Sequence, residues 1–477
     1  MPELTSRRRL LVLAICCMSL LIVSLDNTIL NVALPSMGRE LNASVSGLQW
    51  TIDAYTLVLA SLLMLAGSTA DRIGRRKVFM AGLVLFTLGS LLCSLAPSLE
   101  LLVVYRMVQA VGGSMLNPVA MSIITNTFTE PAARARAIGV WGGVVGISMA
   151  AGPLVGGLLV DSVGWRSIFW VNLPVGLAAL VLTWRYVPES RAPRPRRADP
   201  VGQLLIIALL GSLTYAIIET DPVFAGIAAV ALVGVLLYEP RRREPLIDLR
   251  FFRSAPFSGA TVIAVSAFAA LGGFLFLNTL YLQDARGLSA LEAGLYMLPM
   301  AGLTFVCAPL SGRLVGSRGP RLPLLVAGTA MAASGVMFAA FEAETSDVAL
   351  FTGYMLFGAG FGMVNSPITN TAVSGMPRAQ AGVAAAVAST SRQIGQTLGV
   401  AVIGTVLAAG VSLGTGSGTG SASAFVEASR PAWWIIAGCG LSVLVVGALT
   451  SGPWAQATAL RCADRLETET ETERTAV

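Results

Sequence analysis

Three ionisable side chains interrupt stretches that are otherwise apolar enough to lie in oil: Asp26, Asp53 and Arg106. A charge in a hydrocarbon interior costs roughly 2.5–3.5 kcal/mol on insertion scales, so each must be kept for a reason. Two carboxylates against one arginine leave one negative charge without a local partner. Such a group can hold a proton or a cationic cargo, but hardly both at once, and that competition is the physical basis of exchanging protons for a cation. The structural alternative is an ion pair between Arg106 and one aspartate that fixes helix packing. The second half of the chain has one deep charge, Arg392, and no acid at comparable depth. Glu219, Asp221, Asp284 and Glu292 fall at the ends of apolar runs, where water can solvate them.

Other chemistries are excluded by what is missing. There is no histidine, which removes the usual proton carrier near neutral pH and most metal sites, so no metal is expected and proton chemistry falls to carboxylates. The six cysteines show no framework spacing and read as reduced and structural. The single lysine, Lys77, stands between Arg76 and Val78, so the chain has no phosphate cradle of the Gly-x-x-x-x-Gly-Lys-Ser/Thr type. Gly410-Val-Ser-Leu-Gly414 matches a hydrolase elbow by pattern, but no histidine exists to serve Ser412. The chain does not read as an enzyme.

The elements that position these charges follow from composition. Of 477 residues, 55% are apolar and 12% charged, and the mean hydropathy is +0.74. A soluble protein carries about 25% charged residues. A soluble enzyme, a nucleic-acid binder, a disordered scaffold and a secreted disulfide module are all excluded, leaving an all-α polytopic membrane protein. Windows of roughly 20 apolar residues give fourteen candidate spans. The first follows Arg7, Arg8 and Arg9 but is too long for a signal peptide. With a cytoplasmic N-terminus, most of the 32 basic residues fall on the inner side, and Arg39, Arg166, Arg286 and Arg430 lie outside. That bias places both termini in the cytoplasm. The expected layout is a six-helix bundle over 1–186, a linker with two extra spans over 187–254, a second six-helix bundle over 255–452, and a disordered tail over 453–477. The Gly/Ser stretch from Gly410 to Ser423 reads as a flexible outer loop.

Counting from the outer ends of their spans, Asp26, Asp53 and Arg106 share a layer about 9–12 Å below the outer surface. Gln49, Asp53 and Thr56 share one face of the second span, and Arg106, Gln109, Gly113 and Asn117 a stripe of the fourth. Ser24, Asn27, Thr28 and Asn31 make the polar face of the first span. Asp26 lies about 100° from Asn27, so it is expected to edge a cavity rather than centre it. In the second half Arg392 shares a stripe with Ser389, Gln396 and Gly399, while Asn365, Ser366 and Asn370 line another span. The expected substrate cavity is Asn27, Asn31, Gln49, Gln109, Asn117, Asn365, Arg392 and Gln396. The fifth span carries a small-residue stripe, Gly139, Gly143, Gly146, Ala150, Pro153 and Gly157, on one face for close backbone contact, with Gly152-Pro153 expected to weaken the helix.

Six motifs carry a resemblance. Leu25-Asp-Asn-Thr-Ile-Leu-Asn-Val-Ala-Leu-Pro35, Trp50-Thr-Ile-Asp-Ala-Tyr55 and Gly67-Ser-Thr-Ala-Asp-Arg-Ile-Gly-Arg-Arg-Lys77 are joined by Arg106-Met-Val-Gln109. Gly146 through Gly152-Pro153 to Gly156-Gly157 and Gly164-Trp-Arg-Ser-Ile-Phe-Trp-Val-Asn-Leu-Pro174 complete the set. Together they resemble the fourteen-span drug:proton antiporter branch of the major facilitator superfamily, nearly end to end. The counterpart loop in the second half, Ser311 to Gly319, is degenerate and lacks an acid. The resemblance implies two six-helix bundles rocking about a central site, with two helices inserted between them. It implies proton coupling through Asp26 and Asp53 tuned by Arg106, a cytoplasmic latch of Asp71 and Arg75, and an antiporter motif at Gly146, Gly152, Pro153, Gly156 and Gly157.

The expected function is proton-coupled efflux of amphipathic drugs or antibiotics by alternating access, from the bacterial inner membrane and without a cofactor other than the proton gradient. The expected partners are a small amphipathic cargo, protons and the lipid bilayer, with no nucleic acid, and the chain is expected to act as a monomer. The competing readings are a dedicated exporter of an endogenous metabolite, such as a self-made antibiotic, and a non-transporting membrane sensor.

Overall fold

The computed structural model describes residues 5–192, 199–242, 245–342, 345–374, 376, 381–414 and 422–475, and among them every regular element is helical. Fourteen helical stretches are long and apolar enough to cross a membrane, the number expected from the hydropathy pattern. The helices fall into two compact units.

The first unit comprises Met1–Ala228 and Asn278–Leu298. It holds α1 (Ser6–Leu41), α2 (Val45–Ile73), α3 (Arg75–Ser94), α4 (Leu99–Thr127), α5 (Pro131–Ser162), α6 (Ser167–Trp170), α7 (Asn172–Tyr186) and α8 (Pro200–Ile218). It also takes the start of α9 (Pro222–Tyr238), the end of α10 (Ala255–Leu280), a π-helical turn (Tyr281–Ala285) and α11 (Ala290–Tyr296). The starts are encoded locally. Ser44 and Ser98 accept the backbone N–H groups of Gly47 and Leu101, and Asp199 that of Gly202. Pro131 and Pro200 occupy first turns, where the missing N–H costs nothing. Tyr55, Phe79, Leu83, Phe86 and Leu116 fill the apolar core between α2, α3 and α4. Gly89 lets α3 touch α4 backbone to backbone: a Cβ there would lie 2.6 Å from the Cα of Gln109.

The second unit comprises Ala229–Leu277 and Pro299–Val477. It holds most of α10 with α12 (Leu298–Arg318), α13 (Arg321–Ala339), α14 (Asp347–Val373), α15 (Ala381–Gly414), α16 (Ala422–Thr450) and α17 (Pro453–Thr475). Its core is aromatic. Phe274 stacks on Phe357 at 4.1 Å between centroids, and Phe338 on Trp433 at 4.5 Å.

The unit boundaries differ from the expected ones, because the chain divides within α9 and α10 instead of at 187 and 255. Side-chain bonds explain the shift. Gln203 on α8 donates to Ser61 O at 2.6 Å, and the Trp50 indole donates to Glu219 at 2.8 Å while stacking near Tyr215. The first inserted helix is thereby part of the first unit rather than a linker. Residues 453–477, expected to be a disordered tail, are helical from Pro453 to Thr475. Ala455, Ala459 and Cys462 are buried, Cys462 reaches Arg250 O, and Thr458 accepts the N–H of Ala255. That packing supplies the burial that a reading of the Glu/Thr repeat alone missed. Residues Gly410–Gly414, expected in a loop, continue α15. Residues 415–421 and the Pro/Arg segment 193–198 lie outside the described residues.

Candidate functional site

Asp26 and Arg106 meet inside the first unit, each 1% exposed, with Arg106 Nη1 2.5 Å from Asp26 Oδ2. The rest of the arrangement is a closed polar network. Arg106 Nη1 also donates to Gln109 Oε1 at 2.7 Å, and Nε to Thr51 O at 3.3 Å. Gln109 Nε2 donates to Asp26 Oδ1 at 2.8 Å and to Ser90 Oγ at 2.8 Å. Asn172 Nδ2 repeats both contacts, at 3.0 Å and 3.2 Å. The guanidinium lies 4.2 Å from the centre of the buried Tyr55 ring, a cation–π contact. Five spans thus contribute: α1 the acid, α4 the arginine and glutamine, α3 the serine, α7 the asparagine, and α2 the Thr51 carbonyl and the Tyr55 ring.

Asp53 is different. It is fully buried, and among the described residues neither carboxyl oxygen meets a hydrogen-bond donor. Thr56, one turn along α2, is the hydroxyl near enough to serve it, but its O–H points to the carbonyls of Ile52 and Asp53. A buried carboxyl without donors is accommodated at least cost as the neutral acid. One carboxyl of the pair is saturated with donors and the other has none among the described residues.

Three placements correct the expectations. Asp26 does not edge a cavity; it centres the ion-pair network, because α3, α4 and α7 all send donors to it. Gln109, expected to line the substrate cavity, is fully buried and bonded to Asp26. Gln49 is fully buried too, so it lines no open surface. Of the other expected cavity residues in this unit, Asn31 is buried and donates to Asn27 O at 2.9 Å, Asn27 is half-buried, and the Oδ1 of half-buried Asn117 has no partner.

The stripe of α5 and the two motif glycines that lie off it, Gly152 and Gly156, meet different neighbours. A Cβ on Gly152 would lie 2.0 Å from Thr28 Oγ1, and one on Gly156 2.7 Å from Ile29, so both face α1. A Cβ on Gly157 would lie 2.5 Å from Ala290 O, so that glycine faces α11. Gly139 and Gly143 face open space. Half-buried Gly146 lies on the same helix, and α5 runs unbroken through Pro153. Thr28 Oγ1 lies 3.2 Å from Ser148 O, which ties α1 to α5.

Asp71 and Arg75 are joined across the α2–α3 turn, with Arg75 Nη2 and Nε at 2.8 and 3.1 Å from Asp71 Oδ1. Glu189 was not foreseen here. It accepts the N–H of Arg76 at 3.1 Å, while Arg75 N donates to Ser190 O and Ala192 N to Asp71 O. Ser90 and Asn172 were also missed, although Asn172 lies inside the Gly164–Pro174 motif. A polar side chain recurring in an apolar run was the available signal for both.

In the second unit Arg392 on α15 donates from Nη2 to Thr369 Oγ1 on α14 at 2.5 Å, and its guanidinium lies 5.9 Å from the centre of the Phe268 ring. Its Nε is buried without a partner. Asn365 and Gln396 are half-buried on the same two helices. Among the described residues no group of three or more Cys, Asp or Glu side chains is clustered to hold a metal.

One family model matches most of the chain. Residues 16–400 match the Major Facilitator Superfamily model. The chain is 39% identical over 413 residues to the multidrug resistance protein Stp of Mycobacterium tuberculosis, covering 85% of this chain and 77% of that one. It is 38% identical over 402 residues to the tetracenomycin C resistance and export protein of Streptomyces glaucescens, covering 82% and 74%. It is 34% identical over 394 residues to the methylenomycin A resistance protein of Streptomyces coelicolor, covering 80% and 82%. Among solved structures, a bacterial homologue of the human lysosomal transporter Spinster superposes with a TM-score of 0.66 at 18% identity, covering 96% of this chain and 99% of that one. With fourteen spans and bacterial relatives of this kind, the chain is a multi-pass inner-membrane protein.

Proposed function

The chain belongs to the major facilitator superfamily, and from that premise we propose that it is a proton-coupled exporter of amphipathic drugs or antibiotics, working by alternating access with both termini cytoplasmic. The observation that carries this is the unequal setting of Asp26 and Asp53, one saturated with donors and the other buried with none. Arg106 and Asp26 act as a fixed neutral pair. Asp53 holds the exchangeable proton. When Asp53 loses its proton, the site gains a negative charge that attracts a cationic cargo, and reprotonation from outside releases it. The membrane potential adds about 2.3 kcal/mol per 100 mV for each net charge that an exchange cycle moves. Asp71 and Arg75 act as a latch at the inner end of α2, and the protein works as a monomer.

The test is transport into vesicles with an imposed pH gradient. Asp53→Asn is expected to abolish gradient-driven movement while leaving cargo exchange down its own gradient. Undiminished gradient-driven export in Asp53→Asn and Asp26→Asn would overturn proton coupling. Efflux that needs ATP and ignores protonophores would do the same.

A second reading, export of an antibiotic made by the host itself, is favoured by relatives named for tetracenomycin C and methylenomycin A. A deletion strain that accumulates its own product, without general drug sensitivity, would select this reading over the first.

A further inference from the structure

Arg392 is a deep charge of the second unit, and among the described residues no acidic side chain pairs with it. Among the described residues its sole hydrogen-bond acceptor is Thr369 Oγ1, at 2.5 Å. The Thr369 hydroxyl itself donates to Asn365 O at 3.2 Å, so it turns a lone pair toward the guanidinium. Phe268 offers only the edge of cation–π range, at 5.9 Å. An arginine presents five N–H donors in a rigid fork. Here Nη2 is used and Nε is buried dry. Arg106 is the contrast within the same protein: its fork is filled by a carboxylate, an amide and a carbonyl. Removing a guanidinium from water without an acid is expensive. A fork held half-used beside the exposed side chains of Thr369 and Asn370 is a site waiting for a planar acceptor.

We propose that Arg392, presented by Thr369 and Asn365, is the docking point for a carboxylate or equivalent anionic oxygen pair on the cargo. This rests on the export reading and narrows it: the preferred cargoes are amphipathic zwitterions, their anionic end on Arg392 and their aromatic or aliphatic body beside Phe268. A purely cationic drug gains nothing from this subsite and is repelled by it.

The experiment measures binding rather than transport. Purified full-length protein in detergent, at one pH and without a gradient, is titrated with rhodamine 110, which carries a free carboxylate, and with rhodamine 123, its methyl ester. Dye anisotropy gives the two affinities. The wild type is expected to hold the acid roughly tenfold tighter than the ester, the size of one charge-assisted hydrogen bond. Arg392→Gln is expected to bring that ratio to about one, and Arg392→Lys, which keeps the charge without the fork, to keep only part of it. A wild-type ratio of one overturns the proposal whether or not a variant assembles, and so does an unchanged ratio in Arg392→Gln. Acid preference in a protein that shows no gradient-driven export would sink the exporter reading and leave the subsite standing.

Discussion

Arg106 reaches Asp26 across eighty residues of chain, and the two side chains are shut away together at 1% exposure each. Removing one partner strands the other. Arg106→Ala is expected to cost roughly 3–5 kcal/mol, read as a large drop in melting temperature of the detergent-solubilised protein. Arg106→Lys restores the charge but not the fork that serves Asp26, Gln109 and Thr51 at once, so it should recover less than half of the loss. The double change Asp26→Asn with Arg106→Gln removes both charges and should return stability close to wild type. Full coupled transport in that double variant would show that the pair is only structural.

The split of the α5 glycines makes a prediction by position. Gly152 faces Thr28 so closely that a methyl group would lie 2.0 Å from its hydroxyl. Gly152→Ala should destabilise by about 1–3 kcal/mol through overpacking. Thr28→Ala should rescue it in part, since the Thr28 Cβ remains only 2.7 Å away. Gly143→Ala meets nothing within 4 Å and should be neutral or slightly stabilising through helix propensity. Equal losses at both positions would refute the assignment of faces.

Gly74 sits at φ 125° between α2 and α3, and an added Cβ would lie 2.6 Å from the Glu189 carboxylate. Gly74→Ala therefore combines backbone strain of about 1–3 kcal/mol with displacement of Glu189 from Arg76 N. The measurable consequence is faster hydrogen exchange at Arg75 and Arg76. Glu189→Ala should speed exchange at Arg76 as well, yet leave the Asp71–Arg75 pair intact. Unchanged exchange in both variants would mean that this turn is not held from the end of α7.

How much of this was legible in the chain follows from what each signal reports. Hydropathy reports span length, and it supplied the fourteen candidate spans. Charge counting reports scarcity, and it singled out Asp26, Asp53, Arg106 and Arg392. A helical wheel reports only angles within one helix. It set Asp26 apart from the Asn27 face but could not know that α3, α4 and α7 converge on that side with Ser90, Gln109 and Asn172. The same limit hid Glu189, whose partner lies 113 residues away. It also hid α17, where a Glu/Thr repeat masks a first half whose Ala455, Ala459 and Cys462 have a surface to pack on.

The start of α11 shows the limit most plainly and allows a sharp test. A helix begins with unsatisfied N–H groups, and here each is answered. Ser289 Oγ accepts Glu292 N at 3.2 Å, and Glu292 Oε2 accepts Ser289 N at 2.8 Å, a local capping box readable from the sequence. The groups between them, Ala290 N and Leu291 N, are taken at 3.2 and 2.8 Å by Asp161, from the end of α5. Asp161 also places its negative charge at the positive end of the α11 dipole. Asp161→Ala should destabilise this start by about 0.5–2 kcal/mol and raise hydrogen exchange at Ala290 and Leu291 by the corresponding factor. Asp161→Asn keeps an acceptor without the charge and should fall between. Ser289→Ala should act on Glu292 N instead, so the two alanine variants are expected to expose different amides. If Asp161→Ala leaves Leu291 as protected as before, the cap is supplied by α11 alone and α5 merely passes it.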